Sequence, residues 1–174
     1  ISENNNDTID LVFDIKLGDK AKISKIEFIG DKKIKSRKLR NIVISEENKF
    51  WKFISKNKFL NTSLIETDKR LLKNFYLNKG YYDVQIESSS VDYFDDNTFK
   101  LTYKIDAGSK YFINKASLEL PIDYDVNNFT KINKIIESLN NEIYSFNKIA
   151  KVVNEIDKIS LSREYDFINA EILE

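Results

Sequence analysis

Hydrophobic positions along this chain change period several times, and the changes divide it into short elements. Ile9, Leu11, Phe13 and Ile15 alternate with Asp10, Val12, Asp14 and Lys16, the period-two pattern of a strand with one buried face. Gly18-Asp19 breaks that pattern. Ile23, Ile26 and Phe28 mark a second strand ending at Gly30-Asp31, and the odd interval from Ile23 to Ile26 predicts a bulge. Ser36 is placed to cap a short helix with Leu39, Ile42 and Val43 inside. Ser63-Leu64-Ile65-Glu66 reads as a capping box opening a longer helix. Its expected inner face is Leu64, Leu71, Leu72 and Phe75, with Asp68 only partly covered. Gly80 supplies the positive-φ stop. A strand over Tyr82 to Val91, a turn at Asp95-Asp96-Asn97 and a strand carrying Phe99, Leu101, Tyr103 and Ile105 follow, and Gly108 ends the last.

The pattern then repeats. A shift of 90 residues lays Thr8 to Lys25 on Thr98 to Lys115 with identities at Thr8, Leu11, Ile15, Gly18, Lys20, Ile23 and Lys25. Tandem modules of strand, helix, helix, strand, strand are implied. On this reading residues 1–18 are the closing strand of a preceding, truncated module, 19–107 a complete one, and 108–174 a following one that lacks its last strand. The following module should hold a strand over Phe112 to Leu120, helices over about Asn128 to Leu139 and Ser145 to Ser160, and a strand near Phe167 to Leu173. Its helix stop differs: Glu164 stands where a shift of 84 residues would place Gly80.

One stretch does not fit the repeat. Phe50, Trp51, Phe53, Ile54, Phe59 and Leu60 crowd a loop between the two helices of the complete module. Either the loop folds its aromatics back over the helices, or Phe50, Trp51 and Phe53 form a contact surface.

Composition narrows the chemistry. With 41% hydrophobic and 32% charged residues among 174, the chain is globular. Its 28 basic and 28 acidic residues cancel, so there is no general pull toward nucleic acid or an anionic membrane. Cysteine and histidine are absent, which removes disulfides, thiolate chemistry and the commonest base and metal ligand. No apolar run approaches the roughly 18 residues of a membrane span. The first residue is Ile1 rather than methionine, so we read the chain as part of a longer polypeptide whose compartment a missing signal peptide does not reveal.

No motif supplies a reaction centre. Asp123-Tyr124-Asp125-Val126-Asn127 opens like a calcium loop, but Asn128 replaces its glycine and Lys134 its closing glutamate. Lys32, Lys33, Lys35, Arg37, Lys38 and Arg40 read as a solvated helix face. No enzyme activity, cofactor, metal, nucleic acid or small-molecule substrate is expected. What remains is backbone: a three-stranded sheet has two edges, and a second extended chain can pair with one by β-augmentation. The strand from Asp83 through Val84, Gln85, Ile86, Glu87, Ser88 and Ser89 to Ser90 is the candidate edge, testable by proline at Gln85 or Glu87, whichever N–H faces outward.

Gly30-Asp31, Tyr76-Leu77-Asn78-Lys79-Gly80-Tyr81, Lys104-Ile105-Asp106-Ala107-Gly108 and the Phe50–Leu60 insertion resemble POTRA domains, in particular the third such domain of outer-membrane protein assembly factors. The next unit, with Leu139-Asn140-Asn141-Glu142-Ile143-Tyr144, resembles the fourth. The resemblance implies an α+β fold of tandem β-α-α-β-β modules, each a three-stranded mixed sheet covered on one face by two helices. It further implies a periplasmic scaffold ahead of a membrane β-barrel, with unfolded outer-membrane proteins and assembly-complex lipoproteins as partners. Its favoured augmentation edge falls on Asp83 to Ser90, and linkers near Gly18 and Gly108 would set module angles. The arm of another barrel transporter, of two-partner secretion or TamA-like type, and an envelope or cell-division scaffold are the alternatives.

Overall fold

The computed structural model describes residues 2–4, 8–10, 12–14, 20–51, 54–94, 98–120, 122 and 124–163. β1 (Ser2–Asn4) and β2 (Thr8–Asp10) form an antiparallel pair. Phe13, assigned by its alternation to a buried face, is exposed together with Val12 on the opposite side; no described element packs over either.

The complete module begins at β3 (Lys22–Ile29). Its register against the central strand slips between Ile23 and Lys25, and this bulge returns Ile26 and Phe28 to the face that Ile23 buries. α1 (Ser36–Arg40) and α2 (Thr62–Leu77) follow, then β4 (Gln85–Phe94) and β5 (Thr98–Asp106). β5 lies in the middle, parallel to β3 and antiparallel to β4. Leu39, Ile65, Leu72 and Tyr76 of the helices close on Ile23, Ile26, Phe28, Leu101, Tyr103 and Ile105 of the sheet. The other sheet face is polar: Glu27 sits between Lys25 (2.6 Å) and Lys100 (2.8 Å), and these ammonium groups hold its carboxyl down to about 2.

The inner face of α2 is rotated from the one expected. Ile65, Asp68, Leu72 and Tyr76 are its buried residues, while Leu64, Leu71 and Phe75 are half-buried flanks. Asp68 is fully buried, and its carboxylate accepts the N–H groups of Ile44 (2.5 Å) and Ser45 (3.3 Å) and the hydroxyl of Tyr103 (2.7 Å). A buried carboxylate is tolerated only when donors replace its water, and here one side chain ties α2, the chain leaving α1 and the central strand together. Burial, with Asp68 beside it, pushes the Tyr103 phenol far above its ordinary range.

Both helix starts also differ from expectation. α2 begins one residue before Ser63, because Asn61 is the residue with extended backbone and its side chain accepts the N–H groups of Ser63 and Leu64. Ser36 is the first residue of α1, after Lys35, and makes no side-chain cap.

The following unit holds a 3-10 turn (Val126–Phe129), α3 (Thr130–Glu137) and α4 (Phe146–Arg163) around Phe129, Ile132, Ile136, Leu139, Val152 and Ile156. The strand expected over Phe112 to Leu120 is absent, and the segment makes a single bridge, Phe112 with Ile143; the strand expected near Phe167 to Leu173 lies outside the described residues, as do Glu164 and the turn at Asp95 to Asn97.

The corner after α2 joins the two units. The Asn78 side-chain oxygen accepts the Asn147 N–H (2.8 Å) and the Ser145 hydroxyl (2.9 Å), so it caps α4 across the boundary. The Gly80 carbonyl accepts the Tyr111 N–H (2.8 Å), and the Tyr111 carbonyl accepts the Tyr144 N–H (3.1 Å). Gly80 has φ +91, and a Cβ there would stand 2.7 Å from Ile143 Cγ2. Tyr82 meets Tyr111 and Tyr144 edge-on, with centroids at 6.0 and 5.1 Å.

Two outcomes follow for urea unfolding. Asp68→Ala strands the buried Ser45 N–H, the part-buried Ile44 N–H and the Tyr103 phenol and should lose about 3–5 kcal/mol, whereas Tyr103→Phe removes one partner and should lose about 1–2 kcal/mol. Asn78→Ala should destabilise α4 by about 1 kcal/mol although residue 78 belongs to the other unit, measurable as faster amide exchange over residues 146–152.

Candidate functional site: an open sheet edge

The two outer strands of the sheet meet different surroundings. β3 is closed on its outer side. The Ile23 N–H donates to the Lys58 carbonyl (2.8 Å), and the Ile23 carbonyl accepts the Asn48 N–H (2.7 Å). The Ile26 N–H donates to Glu47 Oε1 (3.1 Å), and Arg40 Nη2 donates to the Ile26 carbonyl (2.6 Å) and pairs with Glu47 at 3.2 Å. Lys32 Nζ donates to the Phe28 carbonyl (3.1 Å). Lys32 and Arg40, read from sequence as part of a solvated face, therefore also serve as edge caps. The loop between α1 and α2 also covers the start of the strand, where the Leu60 N–H donates to the Ala21 carbonyl (2.9 Å) and Phe59 bridges Lys22.

β4 pairs only with β5 among the described residues. Which of its peptide groups face outward follows from the closed edge. Ile26 and Phe28 address the outside of β3, so Lys25, Glu27 and Ile29 address β5. In a parallel pair such residues bond to the neighbours of their register partners, which turns Leu101, Tyr103 and Ile105 toward β3 and Thr102, Lys104 and Asp106 toward β4. Opposite these stand Ser89, Glu87 and Gln85. The backbone groups of Gln85, Glu87 and Ser89 are thus spent on β5, and those of Ile86, Ser88 and Ser90 face outward. A proline at Gln85 or Glu87 would break the ladder rather than block the edge.

The sequence-derived site divides accordingly. Ile86, Ser88 and Ser90 present backbone to the edge. The Gln85 and Glu87 side chains are exposed on the polar face, where Glu87 pairs with Lys104 at 3.2 Å. Val84 is buried in the core ahead of the strand. Asp83 lies in the preceding turn and accepts the Tyr111 hydroxyl at 2.5 Å, which pushes that phenol up; it belongs to the joint between units. Register slips again between Ser90 and Tyr93, so the regular edge spans Gln85 to Ser90.

The α1–α2 loop has a pinned base and a projecting tip. The Glu46 N–H donates to the Asn57 carbonyl (3.0 Å), drawing the two limbs together, and Leu60 packs on the core. Beyond that neck Phe50 (88% exposed), Trp51 (59%) and Ile54 (82%) stand in solvent. These aromatics do not fold back over the helices; Phe53 lies outside the described residues. No cluster of potential metal ligands occurs among the described residues, and none of their helices is long and apolar enough to cross a membrane.

A sheet of this order under two helices defines a small α+β module. The POTRA family, described as a surface antigen variable number repeat, matches residues 21–108, and the chain belongs to that family. Among curated relatives it is similar to outer membrane protein assembly factor BamA of Buchnera aphidicola, 28% identical over 177 residues that cover 99% of this chain and 27% of the relative. It is also similar to BamA of Neisseria meningitidis, 27% identical over 163 residues, covering 91% and 20%. The chain thus spans about a quarter of these relatives' length. The POTRA3-5 segment of Haemophilus influenzae BamA shares the fold with a TM-score of 0.54 at 19% identity, over 87% of this chain and 53% of that one.

Amide exchange checks the edge assignment. The Ile86 and Ser88 amides should exchange at least about tenfold faster than those of Gln85 and Glu87, because only the latter sit in the ladder.

Proposed function

We propose that this chain is a periplasmic scaffold segment of an outer-membrane β-barrel assembly protein, organised as the closing part of a preceding module (1–18), a complete POTRA module (19–107) and a following one (108–174). Its full polypeptide would continue into a membrane β-barrel. In the complete module β4 receives extended segments by strand addition, with unfolded outer-membrane proteins and assembly lipoproteins as the class of guest. One observation carries this reading: β3 is sealed by the loop, Arg40 and Lys32, while β4 keeps the outward peptide groups of Ile86, Ser88 and Ser90.

Recognition through main-chain groups suits a client whose side chains vary, because each hydrogen bond contributes only about 0.5–1.5 kcal/mol and none reads sequence. Binding of this kind is weak and reversible. No turnover chemistry is required, and nothing in the reading calls for a cofactor, nucleic acid or small-molecule substrate.

Proline at Ser88 removes an outward N–H while leaving the bonds to β5 in place. Ser88→Pro should weaken binding of a labelled extended peptide with barrel-strand alternation by about tenfold or more, and Ser88→Ala should bind as the parent does. Fluorescence anisotropy reads the difference, with circular dichroism as the check on folding. Equal binding by a folded Ser88→Pro protein refutes strand addition at β4.

A further inference from the structure

Overall neutrality conceals a local excess of charge at the tip of the α1–α2 loop. Residues 49–60, KFWKFISKNKFL, contain four lysines and no acidic residue. The acidic residues of the loop, Glu46 and Glu47, lie at its neck. Glu47 is turned inward onto the Ile26 N–H and Arg40, and its second oxygen meets Lys49 Nζ at 3.5 Å. Among the described residues, Phe50, Trp51, Ile54 and Lys56 are carried outward, while Glu47 is held at the base.

The tip is a protrusion rather than a groove. Phe50 and Trp51 pack edge to face with centroids 4.5 Å apart, making one aromatic wedge, and Ile54 is exposed with them. Lys49 Nζ stands 5.7 Å from the Trp51 ring centre. Near the neck, Phe59 has the ammonium groups of Lys20 and Lys58 each at 5.7 Å from its ring centre, and Lys56 is exposed. Aromatic bodies flanked by long amphipathic cations match the layered polarity of a bilayer surface, where rings lie at headgroup depth and lysines reach phosphates.

We infer that this tip is a membrane-contact wedge for an anionic phospholipid surface. The wedge is separate from β4: it projects from the loop that seals β3, at the opposite edge of the sheet. Neither signal suffices alone. A few exposed apolar side chains give marginal partitioning, and lysines near an anionic surface supply the second attraction. Contact is therefore reversible, salt-sensitive and dependent on lipid charge. A convex wedge of this composition has no recess for a peptide, which favours a bilayer over an acidic protein as its occupant.

Trp51 is the only tryptophan in the chain, so the wedge carries its own probe. With the 174-residue chain at low salt, vesicles of equimolar phosphatidylcholine and phosphatidylglycerol should shift Trp51 emission to the blue. Brominated acyl chains should quench it, while pure phosphatidylcholine vesicles leave it unchanged. Phe50→Ser with Ile54→Ser, both at exposed positions, should weaken vesicle co-sedimentation by about tenfold, and Lys49→Ser with Lys56→Ser should weaken it for the anionic vesicles. Unchanged Trp51 emission with the anionic vesicles overturns the inference. So does an equal response to neutral vesicles, or a blue shift produced by soluble polyglutamate and not by lipid.

Discussion

The Asp68 carboxylate is the constraint on which the complete module depends. Desolvating a charge is expensive, and three donors converge on it: two successive N–H groups after α1 and the phenol of the central strand. Meeting that requirement fixes α2 against β5 and fixes where the chain leaves α1. The loop that starts there then reaches the outer edge of β3 and closes it. A polar group inside the core thus determines which sheet edge stays open, a consequence that apolar packing alone would not impose.

The corner after α2 couples the units by the same accounting of backbone groups. A helix ends with unpaired carbonyls and the next begins with unpaired N–H groups. Here the Asn78 side chain serves α4 of the following unit, and the Gly80 carbonyl is satisfied by Tyr111. Gly80 is needed twice: for a positive φ at the helix stop and for the close approach of Ile143. The joint therefore rests on the 78–83 corner. The two candidate surfaces are kept apart, with β4 on one side of the sheet and the aromatic tip on the other.

Much of the fold was legible in local pattern. The interval from Ile23 to Ile26 announced a bulge, and the structure has one there. Alternation over Phe99 to Ile105 gave the central strand, and Gly80 gave the helix stop. Errors arose where a local rule had two solutions. Asn61 and Ser63 are both capping residues two positions apart, and backbone geometry selected Asn61. The stripe Ile65, Asp68, Leu72, Tyr76 was obscured because a carboxylate reads as solvent-facing until its donors, from 44, 45 and 103, are known. For the site, alternation could place an exposed strand near Asp83 to Ser90, but not the direction of its peptide groups.

By itself the sequence determined the complete module's order of elements and its glycine-marked helix stop, and showed that histidine and cysteine are absent. These follow from side-chain period and residue type, which are local properties. Tertiary structure decided which edge is sealed, which N–H groups of β4 face outward, and whether the loop aromatics are core or surface. Those outcomes depend on partners distant in the chain, such as Glu47 for Ile26 and Lys58 for Ile23, because a backbone group's availability is set by what packs beside it rather than by its own residue.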